Sequence, residues 1–363
     1  MPMKLQLYKK AKEILQVVRH RKHYINPSRS YYPECPSKSN FEVFKDQVGH
    51  ILRYGYKNTD YYVMGVDVKG ENWKDYVPER YNVKVLSEAN RKWAKNRSGF
   101  NYVLSLADKW NFAEIMEHNG FPVPPTVGLL HYGKLILPHS QGAEADDSAL
   151  LDCTGDLLLK PVLGRGGQGI IPVKIADRDI VYDGKEIGLE ALREMVEDDV
   201  YLIQGRVANP HPAMKALFAK TLNTIRVTMV RTDKGVELLG CMCLMGASDA
   251  AYSNWHFGGI CTYVDENGRL GKYGFSRSQR RITHHPDTGI AFEGYELPFF
   301  KETIRLCEQA MDVYYGVKTI GWDMAVTEDG PVFIEGNHQW GVIAHQMVEH
   351  KGWADKYKKY FNR

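Results

Sequence analysis

The sequence of 363 residues has few of the features that mark secreted, membrane-spanning or zinc-binding proteins. Its six cysteines are scattered without a C-x-x-C pair, so a zinc site or disulfide framework is not expected and a reducing compartment fits best. No apolar run approaches the roughly 20 residues that cross a bilayer, and the opening MPMKLQLYKKAKEILQ lacks a signal-peptide core. A net charge of +3 gives no reason to expect nucleic-acid binding. We therefore expect a cytoplasmic protein.

Several catalytic signatures are also missing. The glycine-rich segment Gly-Arg-Gly-Gly-Gln-Gly at 164–169 is not closed by Gly-Lys-Ser/Thr, so it is no Walker A loop. The apolar stretch IIPVKI follows it and predicts a strand, whereas a dinucleotide fold needs a helix there. The chain has no HRD or DFG segment of a protein kinase and no G-x-S-x-G of a serine hydrolase.

The remaining patterns predict an α/β or α+β protein, with helices and strands alternating and no internal repeat. Residues 1–105 read as mainly helical, and residues 106–205 and 206–363 as two further sub-domains. LLLKPV, GIIPVKI and YLIQGRV read as strands, and a charged helix is expected between Asp177 and Asp199. TIRVTMVRT with VELLGCMCLM, and GWDMAV with PVFIEGN, read as hairpins that flank a helix at 299–315.

The segment from Lys4 to His23 predicts a basic, partly apolar helix. Such a helix suits weak contact with an anionic membrane surface. The plainer interpretation, a solvated helix packed on the body of the protein by one stripe, is favoured because surface helices are usually amphipathic.

A lysine and four glycines predict a phosphate-binding hairpin. Lys160 ends an apolar strand, and Gly164, Gly166, Gly167 and Gly169 follow it. Glycine has no Cβ, so backbone amides of such a loop can approach phosphate oxygens closely. Taken alone, the glycine run is equally typical of an ordinary mobile turn.

The hairpin GWDMAVTEDGPVFIEGN carries two carboxylates that should face each other. If Glu328-Asp329-Gly330 forms a three-residue loop, Asp323 and Glu335 lie directly opposite, about 5 Å apart at Cβ. Apolar neighbours on both strands predict burial, so a divalent cation between the carboxylates would remove their repulsion. Asn337 projects from the same face and offers a third oxygen, a set that suits Mg²⁺ or Mn²⁺. The alternative is an exposed acidic pair at a sheet edge.

Several segments, taken in order from about Leu104 to Gln346, resemble the ATP-grasp superfamily, and in particular the sugar-transfer-associated ATP-grasp proteins, which are similar to α-L-glutamate ligases. The segments are LADKW, LLLKPVLGRGGQGI, LNTIRVTMV, NWHFGGI, HHPDTGIAFEGYELP and GWDMAVTEDGPVFIEGNHQW. The resemblance implies an ATP-grasp fold with two α+β sub-domains that clasp ATP, beside the helical N-terminal region.

The resemblance also implies roles for individual residues. Lys109 and Lys160 would contact ATP phosphates, Arg226 would stabilise the transferred γ-phosphoryl, and Asn254 and His256 would lie near the reacting centre. Further roles are a flexible loop over the phosphates (Gly164, Arg165, Gly166, Gly167, Gly169), a hinge along the adenine (Gln204, Gly205, Arg206, Val207), a Mg²⁺ site (Asp323, Glu335, Asn337), and a lining near the acyl phosphate (Gly258, Gly259). Gln204 stands where many relatives have glutamate, which leaves the adenine contact open.

Plainer interpretations remain for three of these positions. Arg226 could pair with an acidic neighbour, and His256 is more often a hydrogen-bonded structural histidine. His284 and His285 point oppositely on an extended chain, so we assign them no metal.

The activity implied is ATP-dependent ligation of a carboxylate to an amine, or less readily a thiol, through an acyl phosphate. The setting implied is surface-polysaccharide or peptide-conjugate synthesis. Two alternatives stay open: a small-molecule kinase on the same fold, and a nucleotide-binding scaffold without catalysis.

Overall fold

The computed structural model of the chain describes residues 3–97, 102–138, 148–164, 166–248, 253, 255, 258–277 and 280–361. The α-helices in these ranges are α1 (Met3–Arg19), α2 (Arg21–Tyr24), α3 (Asn40–Tyr54), α4 (Glu79–Arg97), α5 (Tyr102–Ala107), α6 (Lys109–His118), α7 (Ser148–Leu151), α8 (Leu189–Glu194), α9 (Pro212–Leu217), α10 (Phe300–Val313), α11 (Val342–Glu349) and α12 (Ala354–Phe361).

The strands fall into two groups along the chain. The first group is β1 (Thr126–His131), β2 (Lys134–Ile136), β3 (Gly155–Pro161), β4 (Ile171–Ala176), β5 (Asp179–Tyr182), β6 (Lys185–Ile187) and β7 (Val200–Gly205). The second is β8 (Thr224–Thr232), β9 (Gly235–Met245), β10 (Ile260–Val264), β11 (Leu270–Ser276), β12 (Arg280–Ile282), β13 (Thr319–Thr327) and β14 (Gly330–Asn337).

Each group forms one antiparallel sheet. The first has the strand order β2-β1-β7-β3-β4-β5-β6, and the second has the order β12-β11-β10-β9-β8-β13-β14. The α/β class expected from the sequence, with a helical N-terminal region, is confirmed. The sub-domain boundaries near residues 105 and 205 stay a prediction.

The region from Asp177 to Asp199 differs from the sequence-based expectation of one charged helix. It begins with the short strands β5 and β6, and only the six residues of α8 are helical. These strands extend the first sheet beyond β4, so the segment that follows the glycine loop is a three-stranded meander.

The two faces of the second sheet have different neighbours. Trp322 and Met324 of β13 lie with Ile225 and Val227 of β8 in a core cluster that includes residues of α10. Successive side chains of a strand point to opposite faces, so Asp323 lies on the other face. Alternation thus lets a fully buried strand present a charged side chain away from its apolar core.

The N-terminal helices cover part of the second sheet. In α3, Ser39 and Glu42 form a capping box at the start, and Gly55 closes the helix with φ of 87°. Buried residues of this region, among them Tyr61, Met64 and Leu86, pack with Trp340 and Trp353 near the C-terminus. Contacts far apart in sequence therefore tie the N-terminal region to the segment that follows β14.

Hairpin β13–β14 pairs Asp323 with Glu335, as the sequence predicts, but through a different turn. Thr327 pairs with Gly330, so the loop has two residues instead of the expected three. The register then shifts by one residue between Asp323 and Met324, and this irregularity brings Asp323 opposite Glu335. Gly330 has the expected positive φ, 125°.

Candidate functional site

Lys109 starts α6 and reaches toward the beginning of the glycine loop. The side chain of Asp108 accepts a hydrogen bond from the backbone N–H of Asn111 at 2.9 Å and so caps the helix that carries the lysine. The Lys109 ammonium donates to the carbonyls of Pro161 at 3.1 Å and Gly164 at 2.5 Å. Burial lowers the pKa of Lys109, although the nearby Glu335 carboxylate acts in the opposite direction.

Lys160 is buried near the end of β3 and contacts the neighbouring strand β7. Its side chain is 7% exposed, and its ammonium donates to the Gln204 side-chain oxygen at 2.8 Å. Burial is the main reason that the pKa of Lys160 falls to about 8, with Glu335 opposing the fall and Lys109 adding to it. The neutral glutamine therefore leaves Lys160 without a hydrogen-bonded carboxylate at this position.

The hinge residues lie where β7 leaves the first sheet. Gln204 also donates to the Pro124 carbonyl at 3.3 Å, and the N–H of Gly205 donates to the Pro125 carbonyl at 2.8 Å. The N–H of Arg206 donates to the Asp156 carbonyl at 2.8 Å, and Val207 follows it outside the strand. Hydrogen bonds to the connector before β1 therefore hold Gln204 and Gly205 of the hinge next to Lys160.

The glycine loop connects β3 to β4, as expected. Gly167 has φ of 80°, in the left-handed region that favours glycine. Gly169 has φ of 73°, and a Cβ there would lie 2.9 Å from Cγ of Pro161. At least two of the four glycines are therefore required by backbone geometry. Arg165 lies outside the described residues.

Arg226 pairs with Asp323 across strands β8 and β13, where the two residues are direct partners. The guanidinium donates from Nε to Oδ1 and from Nη2 to Oδ2, the latter at 2.7 Å. This bidentate pair corrects one step of the sequence-based reasoning, because Arg226 already offsets the repulsion for which a cation seemed necessary. The plainer interpretation of Arg226, pairing with an acidic neighbour, is what the structure has.

Glu335 and Asn337 complete the acidic group on β14. The Asn337 amide donates to Glu335 Oε1 at 2.9 Å and to Asp323 Oδ2 at 3.4 Å. Asp323 is only 7% exposed, so the alternative of a solvent-exposed acidic pair is wrong. Three oxygen-bearing side chains therefore meet beside Arg226, with Asp323 buried and Glu335 and Asn337 half-buried.

The pKa values of the two carboxyl groups shift in opposite directions, although burial acts to raise both. Burial raises the pKa of Asp323 to about 7 against the lowering effect of Arg226, and Glu335 adds to the rise. Burial also acts to raise the pKa of Glu335, but hydrogen bonds from Asp323 and Asn337 and the Arg226 charge outweigh it and lower that pKa. The pair can hold one proton near neutral pH, and a cation would displace it.

The donor set fits a hard divalent cation. Two carboxylates and an amide oxygen are ligands that Mg²⁺ and Mn²⁺ accept, and Mg²⁺ usually takes its remaining ligands from water and substrate phosphates. The amide of Asn337 presents its oxygen instead of its nitrogen after a simple flip of the side chain. This site has two carboxylates and one asparagine. The described residues contain no metal-binding cluster made of three or more His, Cys, Asp and Glu side chains.

The segment expected beside the reacting centre is described only in part. Asn254 and His256 lie outside the described residues. Gly258 has φ of 96°, and a Cβ on Gly259 would lie 2.4 Å from the Ser253 carbonyl oxygen. Close backbone packing therefore requires glycine at 259. His285 is buried and its Nε2 lies 2.8 Å from the Gly246 carbonyl oxygen, consistent with a structural role.

Asn90, on α4 of the N-terminal region, was not found from the sequence. Its side-chain oxygen accepts from the backbone N–H groups of Lys318 at 2.9 Å and Thr319 at 3.2 Å, where β13 begins. Its amide donates to the His338 carbonyl at 3.2 Å, just after β14 ends. One buried side chain therefore joins the ends of both strands that carry the acidic group. No local motif marks such a residue.

If the acidic group holds Mg²⁺, Asn90→Ala should weaken that binding, because three backbone groups at these strand ends lose their partner. An unsatisfied buried group costs about 1–3 kcal/mol, so the apparent KM for Mg²⁺ should rise severalfold while ADP affinity without metal stays the same. Steady-state kinetics and calorimetry would measure the two quantities. Ser87→Ala on the same helix, which loses one exposed bond from Gln339, is the control, and equal effects of both changes would contradict the positioning role.

The architecture of two antiparallel sheets with these charged groups is that of an ATP-grasp protein. The sequence model of the sugar-transfer associated ATP-grasp family matches residues 89–360. The chain belongs to that family, and the resemblance read from its motifs is confirmed. Comparison with curated proteins gave no significant match.

The solved structures to which the chain is similar are distant from it in sequence. An ADP complex of purK, N5-carboxyaminoimidazole ribonucleotide synthetase, is 12% identical, with a TM-score of 0.39 over 71% of this chain and 52% of that chain. VanG D-Ala:D-Ser ligase from Enterococcus faecalis is 14% identical, with a TM-score of 0.41 over 70% and 62%. A RimK domain ATP-grasp protein from Sphaerobacter thermophilus is 16% identical, with a TM-score of 0.35 over 70% of both chains. The chain thus spans about half the length of the purK synthetase.

Proposed function

We propose that the protein is an ATP-dependent ligase that activates a carboxylate as an acyl phosphate and joins it to an amine. A thiol acceptor is the second choice. The observation that carries the proposal is that two lysines, one arginine and a carboxylate pair lie near one another, although they come from separate elements of the fold. Glu335 acts on the pKa of Lys109, Lys160 and Arg226 alike, so all three cations lie within electrostatic reach of it.

Each charged group has a task in phosphoryl transfer. In our proposal Lys109 of α6 and Lys160 of β3 approach the phosphates, and the glycine loop lies above them. Arg226 stabilises charge on the transferred γ-phosphoryl. Asp323, Glu335 and Asn337 would hold Mg²⁺, which would offset phosphate charge and orient the transferred group.

The reaction has two steps in which atoms and charge balance. A carboxylate oxygen of the substrate attacks the γ-phosphorus, the bond to the β,γ-bridging oxygen breaks, and ADP leaves. The amine then attacks the acyl carbon, phosphate leaves, and the amine loses a proton. The protein mainly positions the reactants and keeps water from the acyl phosphate.

The cellular setting is part of the same proposal. A sugar-transfer associated family fits work on surface polysaccharides or peptide conjugates. All six cysteines are free, four of them buried, which suits a reducing cytoplasm. No helix in the described ranges has the length and apolar character to cross a bilayer.

The depressed pKa of Lys160 gives a prediction about nucleotide binding. At pH 8 about half of these ammonium groups are neutral, and phosphate anions should restore the proton. ATP binding at pH 8 should therefore take up a substantial fraction of a proton, and little at pH 6.5. Calorimetry in buffers of different ionisation heat measures this number. Lys160→Arg, whose guanidinium stays charged, should reduce the uptake, and unchanged uptake in that variant would contradict the assignment.

Hydroxylamine tests whether an acyl phosphate forms. An acyl phosphate gives a hydroxamate with hydroxylamine, whereas a phosphate ester does not. We expect ATP, Mg²⁺ and the correct acid, drawn from amino acids and uronic acids, to give hydroxamate together with ADP. A stable phosphorylated product without hydroxamate would instead establish the kinase alternative, and the ligase proposal would be wrong.

A further inference from the structure

Helix α1 has two apolar faces, and the structure covers only one of them. Val17 is fully buried and Ile14 half-buried against the body of the protein. On the other side an exposed apolar stripe, residues 7, 8, 11, 15 and 18, follows the helical period. Leu7 is 59% exposed, Leu15 69% and Val18 47%. Packing against the body of the protein therefore does not explain why this exposed stripe is apolar.

The charges around this stripe have one sign. The exposed basic residues of α1 and the start of α2 are Lys4, Lys9, Lys12, Arg19, Arg21 and Lys22. Glu13 is the sole acidic residue between positions 4 and 22 of the sequence. It lies on the covered side, 3.0 Å from the ammonium of Lys57. The exposed side of the helix therefore combines leucine, tyrosine and valine with uncompensated positive charge.

We propose that α1 binds the surface of an anionic membrane, with the exposed apolar stripe inserted among the headgroups. An apolar stripe bordered by lysine and arginine is the composition of interfacial helices, whose long basic side chains reach the lipid phosphates. Basic residues stand at both ends of the stripe, Lys4 at one and Arg19 at the other, so the helix can lie flat. With 17 residues, α1 is shorter than the roughly 20 residues that cross a bilayer, so it binds along the membrane surface. This attachment is independent of the activity proposed above.

Charge decides between a membrane and a second copy of this chain as the occupant of the stripe. An interface between copies of this chain would bring two sets of these basic residues together, and like charges there oppose association. Each basic residue near an anionic lipid surface adds about a fivefold factor to binding. The stripe supplies the short-range contact, and the basic residues make it selective for negatively charged lipid.

Co-sedimentation of the full chain with vesicles tests the proposal. We expect binding to phosphatidylcholine vesicles that contain phosphatidylglycerol, little binding without it, and loss at an ionic strength of about 1 M, where the Debye length falls to ~3 Å. Lys4→Gln with Lys12→Gln should weaken binding about fivefold for each charge removed. The matched control is Lys174→Gln with Lys185→Gln, two exposed lysines of the first sheet.

A second set of variants separates insertion from simple charge attraction. Leu7→Ser with Leu15→Ser should weaken binding by about tenfold or more, whereas Leu104→Ser, at a site 67% exposed on α5, should not. Thermal melting should change little, because these side chains are mostly exposed. The proposal is overturned by equal binding to both vesicle types, by no binding at all, or by serine variants that change the oligomeric state in light scattering but leave vesicle binding intact.

Discussion

Asp323→Asn and Glu335→Gln should each lower ADP formation by about 10³-fold or more at ordinary Mg²⁺ concentrations. Both changes remove a carboxylate ligand from the proposed metal site, and a neutral amide binds Mg²⁺ weakly. The charge on the transferred phosphoryl would then lack its main counter-ion. A coupled assay for ADP with the correct acid measures the loss, and much higher Mg²⁺ or Mn²⁺ should recover part of it.

The two variants should differ in stability. Asp323 holds Arg226 through two charge-assisted hydrogen bonds, and removing one partner of a buried ion pair costs about 3–5 kcal/mol. Glutamine at 335 can still accept the Asn337 hydrogen bond. Asp323→Asn should therefore melt at a lower temperature than Glu335→Gln.

The same carboxylate-to-amide changes at the turn of this hairpin provide the control. Glu328→Gln and Asp329→Asn alter exposed carboxylates a short distance along the strands, so they should leave activity and melting unchanged. Wild-type activity in both Asp323→Asn and Glu335→Gln would show that the acidic group is not the metal site. Because Glu335→Gln should stay folded, a failure of Asp323→Asn to fold would still leave the assignment testable.

The sequence led to the correct opposition of Asp323 and Glu335 through an incorrect turn. Alternation and turn residues limit the register of a hairpin, but a bulge adds one residue that local patterns do not reveal. Here the shorter loop and the irregularity between Asp323 and Met324 compensate each other. The prediction succeeded because both routes bring the same two residues together.

The missed strands β5 and β6 were detectable. Asp183 and Gly184 connect them with φ of 50° and 71°, and Asp-Gly between apolar residues is a strong hairpin signal. Asp177 and Arg178, with φ of 53° and 71°, form a similar turn before β5. Charged residues in this stretch suggested a helix, although the turn chemistry favoured strands.

Other features depend on contacts that no local pattern encodes. The pairing of Arg226 with Asp323 follows from β8 lying beside β13, and the bonds of Asn90 follow from α4 packing near the ends of β13 and β14. The apolar residues of α1 are visible in the sequence, but only packing shows which of them stay exposed. The sequence therefore shows which residues are charged, polar or apolar, whereas their contact partners and exposure depend on the fold.

Arg226→Ala should suppress hydroxamate formation and the complete reaction by the same factor, about 10³-fold. In the proposed mechanism the guanidinium acts on phosphoryl transfer, which both reactions share and which precedes the amine. The variant also leaves Asp323 without its ion pair, so its melting temperature should fall. Arg226→Lys keeps a charge but cannot form the bidentate pair, and it should recover only a small part of the activity.

Two experiments distinguish a role of Arg226 in chemistry from a role in folding. They are chemical rescue by guanidinium ions and the substitution of another arginine on the same strand. Guanidinium ions added to Arg226→Ala should restore part of both reactions, because they can occupy the space left beside Asp323, and they should not rescue Asp323→Asn. Arg231→Ala removes an arginine of the same strand that pairs with Asp312, and it should lower stability without changing hydroxamate yield in the folded fraction. If Arg226→Ala instead lost only the amine-dependent step and still formed hydroxamate at the wild-type rate, Arg226 would belong to acceptor binding and not to phosphoryl transfer.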